Sequence, residues 1–263
     1  MKYYLSLIFT VLLLTGCKKD KEETTEQTVA EKPAALAFEN KEYNKKTTLP
    51  CTDPCTYVTI SVPEAMGGDP VVADSINKKI FSVVRNIVYF GEKPTNATNY
   101  NHLMDSFIQS YDELKTKFPD DAMSWEAKIK ATIDYKTDSL INIKVNNYMF
   151  TGGAHGYEGD LSLLFNAKTG RSLTQADIFK DEKAFTAFAE KKFREKYKIP
   201  AKRSINATGL MFEGEKFVLP QSIFFKENGL LLAYNPEEIG SFADGRKELL
   251  LPYSEVGGYL KVK

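Results

Sequence analysis

Histidine is scarce in this chain, with only His102 and His155 among 263 residues. Imidazole metal sites place two histidines at a spacing such as HxxxH, and neither histidine has such a neighbour. We therefore expect no metal centre and no cofactor. Charge of one sign is also lacking, since 35 basic residues balance 35 acidic residues. No global field would recruit nucleic acid, so we expect no nucleic-acid partner.

Cysteine is nearly as rare, and the first of three cysteines ends an N-terminal apolar run. Lys2 precedes the run from Leu5 to Leu14, which is too short to span a bilayer. Leu14-Thr15-Gly16-Cys17 is typical of a bacterial lipoprotein signal, in which Cys17 carries the lipid. The alternative is an ordinary secretory signal with a chance cysteine. We predict a signal peptide over residues 1–16 and a lipid anchor at Cys17 as the only membrane contact.

The residues after Cys17 differ abruptly from that run. Lys18 to Glu31 consists almost entirely of Lys, Glu, Asp, Thr and Gln, which cannot bury enough apolar surface to fold. We predict a disordered tether over residues 17–40, holding a globular body at the outer membrane, either in the periplasm or at the cell surface. The charged start is similar to the export signals of surface lipoproteins, but a merely soluble linker explains it equally well.

The other two cysteines, Cys51 and Cys55, stand in Cys-Thr-Asp-Pro-Cys. In a chain addressed to an oxidising compartment, this spacing favours a small-loop disulfide with Asp53-Pro54 at the turn. A redox-active pair or half of a metal site is the alternative. A structural zinc site would need four ligands, and the mature chain has no further cysteine except Cys17.

Hydrophobic periodicity predicts an α+β protein of two subdomains, each a mainly antiparallel sheet with helices on one face. We place the subdomains at residues 41–157 and 158–263. In the first we expect strands at 56–62, 125–135 and 140–150, and helices from 69 and over 101–118. In the second we expect a hairpin arm at 159–165, helices near 177 and over 182–197, strands at 217–219, 223–225, 230–234 and 248–251, and a helix capped by Asn235.

Five motifs follow one another in the second half. They are Thr-Gly-Gly-Ala-His-Gly from Thr151, Lys168-Thr169-Gly170, the run from Leu173 to Phe179, Asn235-Pro236-Glu237-Glu238-Ile239, and Leu251-Pro252-Tyr253-Ser254-Glu255. Taken together, in this order, they resemble the RsiV/PdaC-like envelope family. That family comprises extracellular regions of lysozyme-receptor anti-sigma factors and accessory regions of peptidoglycan deacetylases. The resemblance extends from about Cys51 to about Val256, and the family's signalling helix and catalytic domain are not found.

His155 is the obvious candidate for chemistry, because imidazole titrates near neutral pH. It could instead stabilise the turn built by Gly152, Gly153 and Gly156, and we favour this structural role. The enzymatic alternative is a cell-wall glycan hydrolase, with His155 and a carboxylate such as Asp160 as acid and base. Further acidic groups that could contribute to such a site are Glu158, Asp177 and Glu255.

The resemblance implies a non-catalytic protein that binds lysozyme-type muramidases or peptidoglycan-derived glycan. Several aromatic residues fall near strand ends, where amphipathic rings often lie in interfaces. We therefore predict a ligand-binding face on the loop from Tyr148 to Tyr157, with Thr151 and His155 between them. We predict no catalytic residue.

Overall fold

The structure is a computed structural model that describes residues 35–89, 95–120 and 123–262. All of them belong to one compact unit. The predicted signal peptide, the lipid-bearing Cys17 and most of the predicted tether lie outside the described residues. None of the helices in these ranges is long and apolar enough to cross a bilayer.

The N-terminal half is a five-stranded sheet with two helices on one face. The strands, in spatial order, are β1 (Ala37–Lys46), β2 (Tyr57–Met66), β3 (Glu126–Lys136), β4 (Leu140–Phe150) and β5 (Tyr157–Asn166). Only β2 and β3 run parallel; the other neighbours are antiparallel. The helices are α1 (Pro70–Val88) and α2 (Tyr100–Lys117). They cover the first core.

The first helix shows why these residues form these elements. Asp69 is the N-cap residue of α1 and accepts a hydrogen bond from the Val71 amide at 2.8 Å, with Pro70 directly after it. An apolar stripe at helical spacing is buried at Val72, Ile76, Ile80, Val84 and Val88. The helix therefore packs its apolar face against the sheet and leaves its charged residues in solvent.

The C-terminal half is a three-stranded antiparallel sheet with helices. Its strands are β6 (Ser222–Lys226), β7 (Gly229–Tyr234) and β8 (Lys247–Pro252), in that order. Its helices are α3 (Gln175–Ile178), α4 (Glu182–Lys196) and α5 (Tyr253–Val256), with single turns of 3-10 helix at Glu213–Glu215 and Phe242–Asp244. An aromatic-rich second core lies between them.

The α+β class is confirmed, but three predicted details need correction. Strand β1 was not predicted, and it begins at Ala37, inside the predicted tether. Because the strand is rich in charged residues, the alternating pattern of an edge strand is not recognisable in its sequence. Strand β5 belongs to the first sheet, so that sheet continues past residue 157 to Asn166. Residues 217–219 form no strand.

The two sheets are joined by hydrogen bonds between side chains of β4 and β5 and the backbone of β6. The Asn142 carboxamide accepts a hydrogen bond from the Phe225 amide at 2.8 Å, and the Ser162 hydroxyl donates to the Ile223 carbonyl at 2.6 Å. Leu140 and Leu164, on β4 and β5, are part of the second core. The boundary between the halves is therefore a continuous packed joint. Between β1 and β2, a disulfide links Cys51 and Cys55, as predicted.

Candidate binding face

The loop between β4 and β5 presents the predicted ligand-binding residues. Gly152 and Gly153 have φ angles of 108° and 94°, conformations that strongly favour glycine. Gly156 packs closely on Tyr148: a Cβ atom there would lie 2.6 Å from the outer end of the Tyr148 ring, which would have to move. The glycine-rich motif is thus explained by backbone geometry and by close packing on Tyr148.

His155 is exposed at the tip of this loop and stacks on an aromatic ring from a distant segment. Its ring centroid lies 3.9 Å from that of Phe242, with 16° between the ring planes. The imidazole Nδ1 lies 3.1 Å from the Gly156 carbonyl oxygen, which can only accept, so Nδ1 carries the proton in this arrangement. The outer faces of the two rings form a small aromatic platform, since Phe242 keeps 41% of its surface exposed.

A short capped turn sets the position of Phe242. The Ser241 amide and hydroxyl donate to Asp244 Oδ2 at 2.9 and 2.6 Å, and the Asp244 amide donates back to the Ser241 hydroxyl. This reciprocal pair closes the single 3-10 turn that carries Phe242. Gly245, with a φ of 61°, then redirects the chain toward Arg246 and strand β8.

The remaining predicted loop residues, Tyr148, Thr151 and Tyr157, differ in their exposure. Tyr157, at the start of β5, is 43% exposed. Burial raises its pKa, and the nearby carboxylates of Glu238 and Glu237 raise it further. Tyr148 is half-buried between Gly156 and Lys128, whose Nζ lies 5.7 Å from the ring centroid. Thr151 is also half-buried. The exposed aromatic surface therefore consists of His155, Phe242 and Tyr157.

A buried carboxylate anchors the segment that carries Phe242. Asp160 on β5 is 1% exposed and forms ion pairs with Lys144, at 2.6 Å, and with Arg246; the Asn146 carboxamide donates to it at 2.9 Å. Burial alone would raise the pKa of Asp160, but the hydrogen bonds from Lys144 and Asn146 and the charge of Arg246 outweigh it. The pKa therefore lies below its ordinary value.

Asn235 anchors the other end of the same segment, and its role differs from the prediction. It does not cap a helix: the residues after it form a turn, with Glu237 at a φ of 66°. Its carboxamide accepts from the Asp160 amide at 2.8 Å and donates to the Asp160 carbonyl at 3.0 Å. A side chain thus pairs with the outer edge of β5 in the way a neighbouring strand would.

The geometry gives little support to acid–base chemistry at His155. Asp160, the carboxylate suggested as its partner, is held by Lys144 and Arg246 instead. Asp177 closes the capping box of α3 and pairs with Arg171, and Glu255 pairs with Lys192 at 2.6 Å. Within the described residues, no carboxylate hydrogen-bonds to the His155 ring, and no three His, Cys, Asp or Glu side chains could together hold a metal ion.

These features define a two-part α+β protein with an aromatic loop face at its joint. Residues 49–158 match the family model described as deacetylase PdaC, and residues 176–254 match a protein family of unknown function, DUF3298. The chain therefore combines a PdaC-type and a DUF3298-type segment, consistent with the family inferred from its motifs. A search of curated proteins gave no match.

Solved structures share this fold. A DUF3298 family member from Bacteroides fragilis is 21% identical, with a TM-score of 0.69 over 86% of this chain and 94% of the other. A DUF3298 family protein from Pseudomonas aeruginosa is 18% identical, with a TM-score of 0.61 over the same shares. At these identities the likeness concerns the fold alone.

Two parts of the face were not found from the sequence. Phe242 lies far from His155 along the chain, and no local pattern links the two rings. The pairing of Arg246 with Asp160 is equally non-local. The only available signal was Ser241-Phe242-Ala243-Asp244, whose Ser-x-x-Asp spacing is typical of a capped turn but does not indicate what the turn contacts.

Proposed function

We propose that this chain is a non-catalytic, lipid-anchored binding protein of the cell envelope. The ligand class follows from the family resemblance: a lysozyme-type muramidase or peptidoglycan-derived glycan. The observation that carries the proposal is the stacked pair of His155 and Phe242, presented to solvent beside the exposed Tyr157. Aromatic side chains held in place before binding lose little conformational freedom when a ligand covers them.

The surroundings of the platform fit either ligand in different ways. Flat ring faces can stack on sugar rings. Besides burial, the charges of Glu238 and Glu237 raise the pKa of Tyr157, and that of Arg246 lowers it. Since Arg246 is paired with Asp160, the two glutamates leave negative charge near Tyr157. A basic protein would gain from that charge, whereas a muropeptide carries peptide carboxylates that the charge would repel, so its affinity would depend on the rings. The two ligands therefore differ in how strongly salt should weaken binding.

The test is a calorimetric titration of the chain with lysozyme and, separately, with soluble muropeptides. We expect binding to at least one, and a loss of at least about tenfold in affinity for the variant Phe242→Ala. Phe118→Ala is the matched control, because Phe118 is also a 43% exposed phenylalanine but lies at the end of α2. Absence of binding to both ligands would refute the proposal, as would equal losses in the two variants.

The glycan-hydrolase alternative makes a distinct prediction on the same samples. It requires turnover of peptidoglycan fragments that is abolished by His155→Ala. The binding proposal expects no turnover, with His155→Ala weakening binding by disrupting the ring pair. Release of reducing ends from muropeptides, measured alongside the titration, distinguishes the two.

A further inference from the structure

Positive charge is concentrated around α4. Residues 180–203 contain nine basic and four acidic residues, a net charge of +5, in a chain whose formal net charge is zero. The opposite charge is spread over the remainder. A segment of this kind, exposed on a folded body, creates a local field even though the whole molecule is neutral.

Four of the nine basic residues are already engaged. Lys192 pairs with Glu255 at 2.6 Å, and Arg194 pairs with Glu190 at 2.8 Å. Lys180 and Lys196 donate to backbone carbonyls of Gly258 and Glu248. The other five are exposed and make no ion pair with the residues described by the structure: Lys183, Lys191, Lys198, Lys202 and Arg203.

The end of α4 gathers three of these charges into one turn. The Ile199 amide donates to the Arg194 carbonyl at 2.9 Å, the pattern of a Schellman cap. The Arg194 guanidinium donates to the Arg203 carbonyl at 3.0 Å, which folds the following loop back on the helix end. Lys198 and Lys202 lie within this closed loop. We call Lys198, Lys202 and Arg203 the basic turn.

Lys198 is an unusual residue for its backbone position. Its φ is 56°, in the left-handed region, at the helix-terminating position where glycine or asparagine is preferred. A lysine in this conformation is strained and lowers the stability of the cap, so stability does not explain why a lysine occupies this position. The neighbouring Ile199 is buried in the second core, which fixes the turn and keeps the lysine side chain in solvent. The charge is thus presented by a rigid scaffold.

We propose that the basic turn docks on the anionic, phosphate-bearing headgroups of the membrane to which the chain is tethered, which adds a second membrane contact to the lipid anchor predicted from the sequence. The inference rests on the lipid anchor of the proposed function. Residues 18–36 separate Cys17 from β1. A chain of that length has a maximal reach of about 65 Å. The headgroups therefore stay within reach, at high effective concentration.

The test uses the chain from Lys18 onward, without lipid, because all described residues of both cores lie within it. It is sedimented with phosphatidylcholine vesicles that contain or lack phosphatidylglycerol. We expect binding only to the anionic vesicles, and a fall of roughly 100-fold in the partition coefficient for Lys198→Gln/Lys202→Gln/Arg203→Gln, at about fivefold per charge. High salt should abolish the binding.

The control triple is Lys78→Gln/Lys79→Gln/Lys168→Gln, which removes the same charge from exposed positions on α1 and on the turn after β5. Three outcomes would overturn the proposal: no binding to anionic vesicles, equal losses in both triples, or full competition by inorganic phosphate at matched ionic strength, which would indicate a phosphate site. The proposed function is tested by a different measurement. If it is right, Phe242→Ala loses muramidase or muropeptide binding yet binds vesicles normally.

Discussion

Two contacts join β5 and the loop before it to the segment from Asn235 to Arg246, and they differ in polarity and in exposure to solvent. Near the start of β5, Asp160 is buried and bonded to Lys144 and Arg246. In the loop just before the strand, His155 stacks on Phe242 and is exposed to solvent. The buried contact is polar and fully partnered, so it orients the segments; the exposed contact leaves ring faces uncovered, so it can bind. The fold thus separates the positioning of the segment from the presentation of its aromatic surface.

The largest effect should come from breaking the buried contact. Asp160→Asn would leave the charges of Lys144 and Arg246 facing a neutral, largely buried carboxamide. Removing one partner of a buried ion pair costs about 3 kcal/mol or more. We expect a loss of that order in the free energy of unfolding, measured by urea denaturation. Asp177→Asn, at the Arg171 ion pair near the surface, should lower the free energy of unfolding far less. Equal losses in the two variants would mean that burial does not make the Asp160 ion pair more important for stability.

A smaller loss is expected at Asn235. The Asn235→Ala variant removes both hydrogen bonds to the backbone of Asp160. The Asp160 carbonyl would still accept from the Ser222 hydroxyl at 2.8 Å, so only the Asp160 amide would be left unpaired. An unpaired buried amide costs about 1–3 kcal/mol, so we expect a loss of about 2 kcal/mol in stability. Asn235→Asp is the informative control, because it keeps the acceptor for the Asp160 amide but loses the donor to the carbonyl. Hydrogen exchange of the Asp160 amide should therefore accelerate in Asn235→Ala more than in Asn235→Asp.

The buried contact should also make stability depend on pH. The folded-state pKa of Asp160 is lowered, so its contribution is present above the unfolded-state value of about 3.9 and is lost as pH falls through the folded-state value. We expect the free energy of unfolding to decline below about pH 4 in the parent chain, and to decline less steeply in Asp160→Asn. Identical slopes in the two chains would contradict the coupling between Asp160 and its cations.

The smallest effect on stability should follow from breaking the exposed contact. Phe242→Ala removes a ring that is 41% exposed, so we expect a loss of at most about 1 kcal/mol in unfolding free energy. The ring currents of Phe242 act on His155, so the His155 proton resonances should shift clearly in this variant. A stability loss as large as that of Asp160→Asn would show that the ring pair is part of the fold's framework, and the contrast between the two contacts would be wrong.

The elements with strong local patterns were predictable. The stripe on α1, the Asp69-Pro70 start, the alternation of β3 and β4 and the turn before β7 all follow from periodicity and turn chemistry. Strand β1 was missed because its burial depends on α2 and β2, which cover a sequence that reads as charged linker. Asn235 was misassigned for a similar reason: Asn-Pro-Glu-Glu favours a helix start locally, but two hydrogen bonds to Asp160 favour a turn.

The candidate site, like the fold, was predictable only in part from the sequence. Glycines around a histidine indicate an unusual backbone in the loop from Tyr148 to Tyr157, and the φ angles of Gly152 and Gly153 agree with this; that the loop binds a ligand stays a prediction. The sequence could not identify Phe242 or Arg246 as members of the face.

By itself, the sequence determined the fold class, the main helices and strands, and the loop that presents His155, because these follow from short-range periodicity and backbone conformation. Only the tertiary structure decided which residues meet at the joint. Asp160 forms ion pairs with Lys144 and Arg246, and His155 stacks on Phe242, through contacts between segments that are separated along the chain. Such pairings depend on packing of the whole core, and no local pattern encodes them.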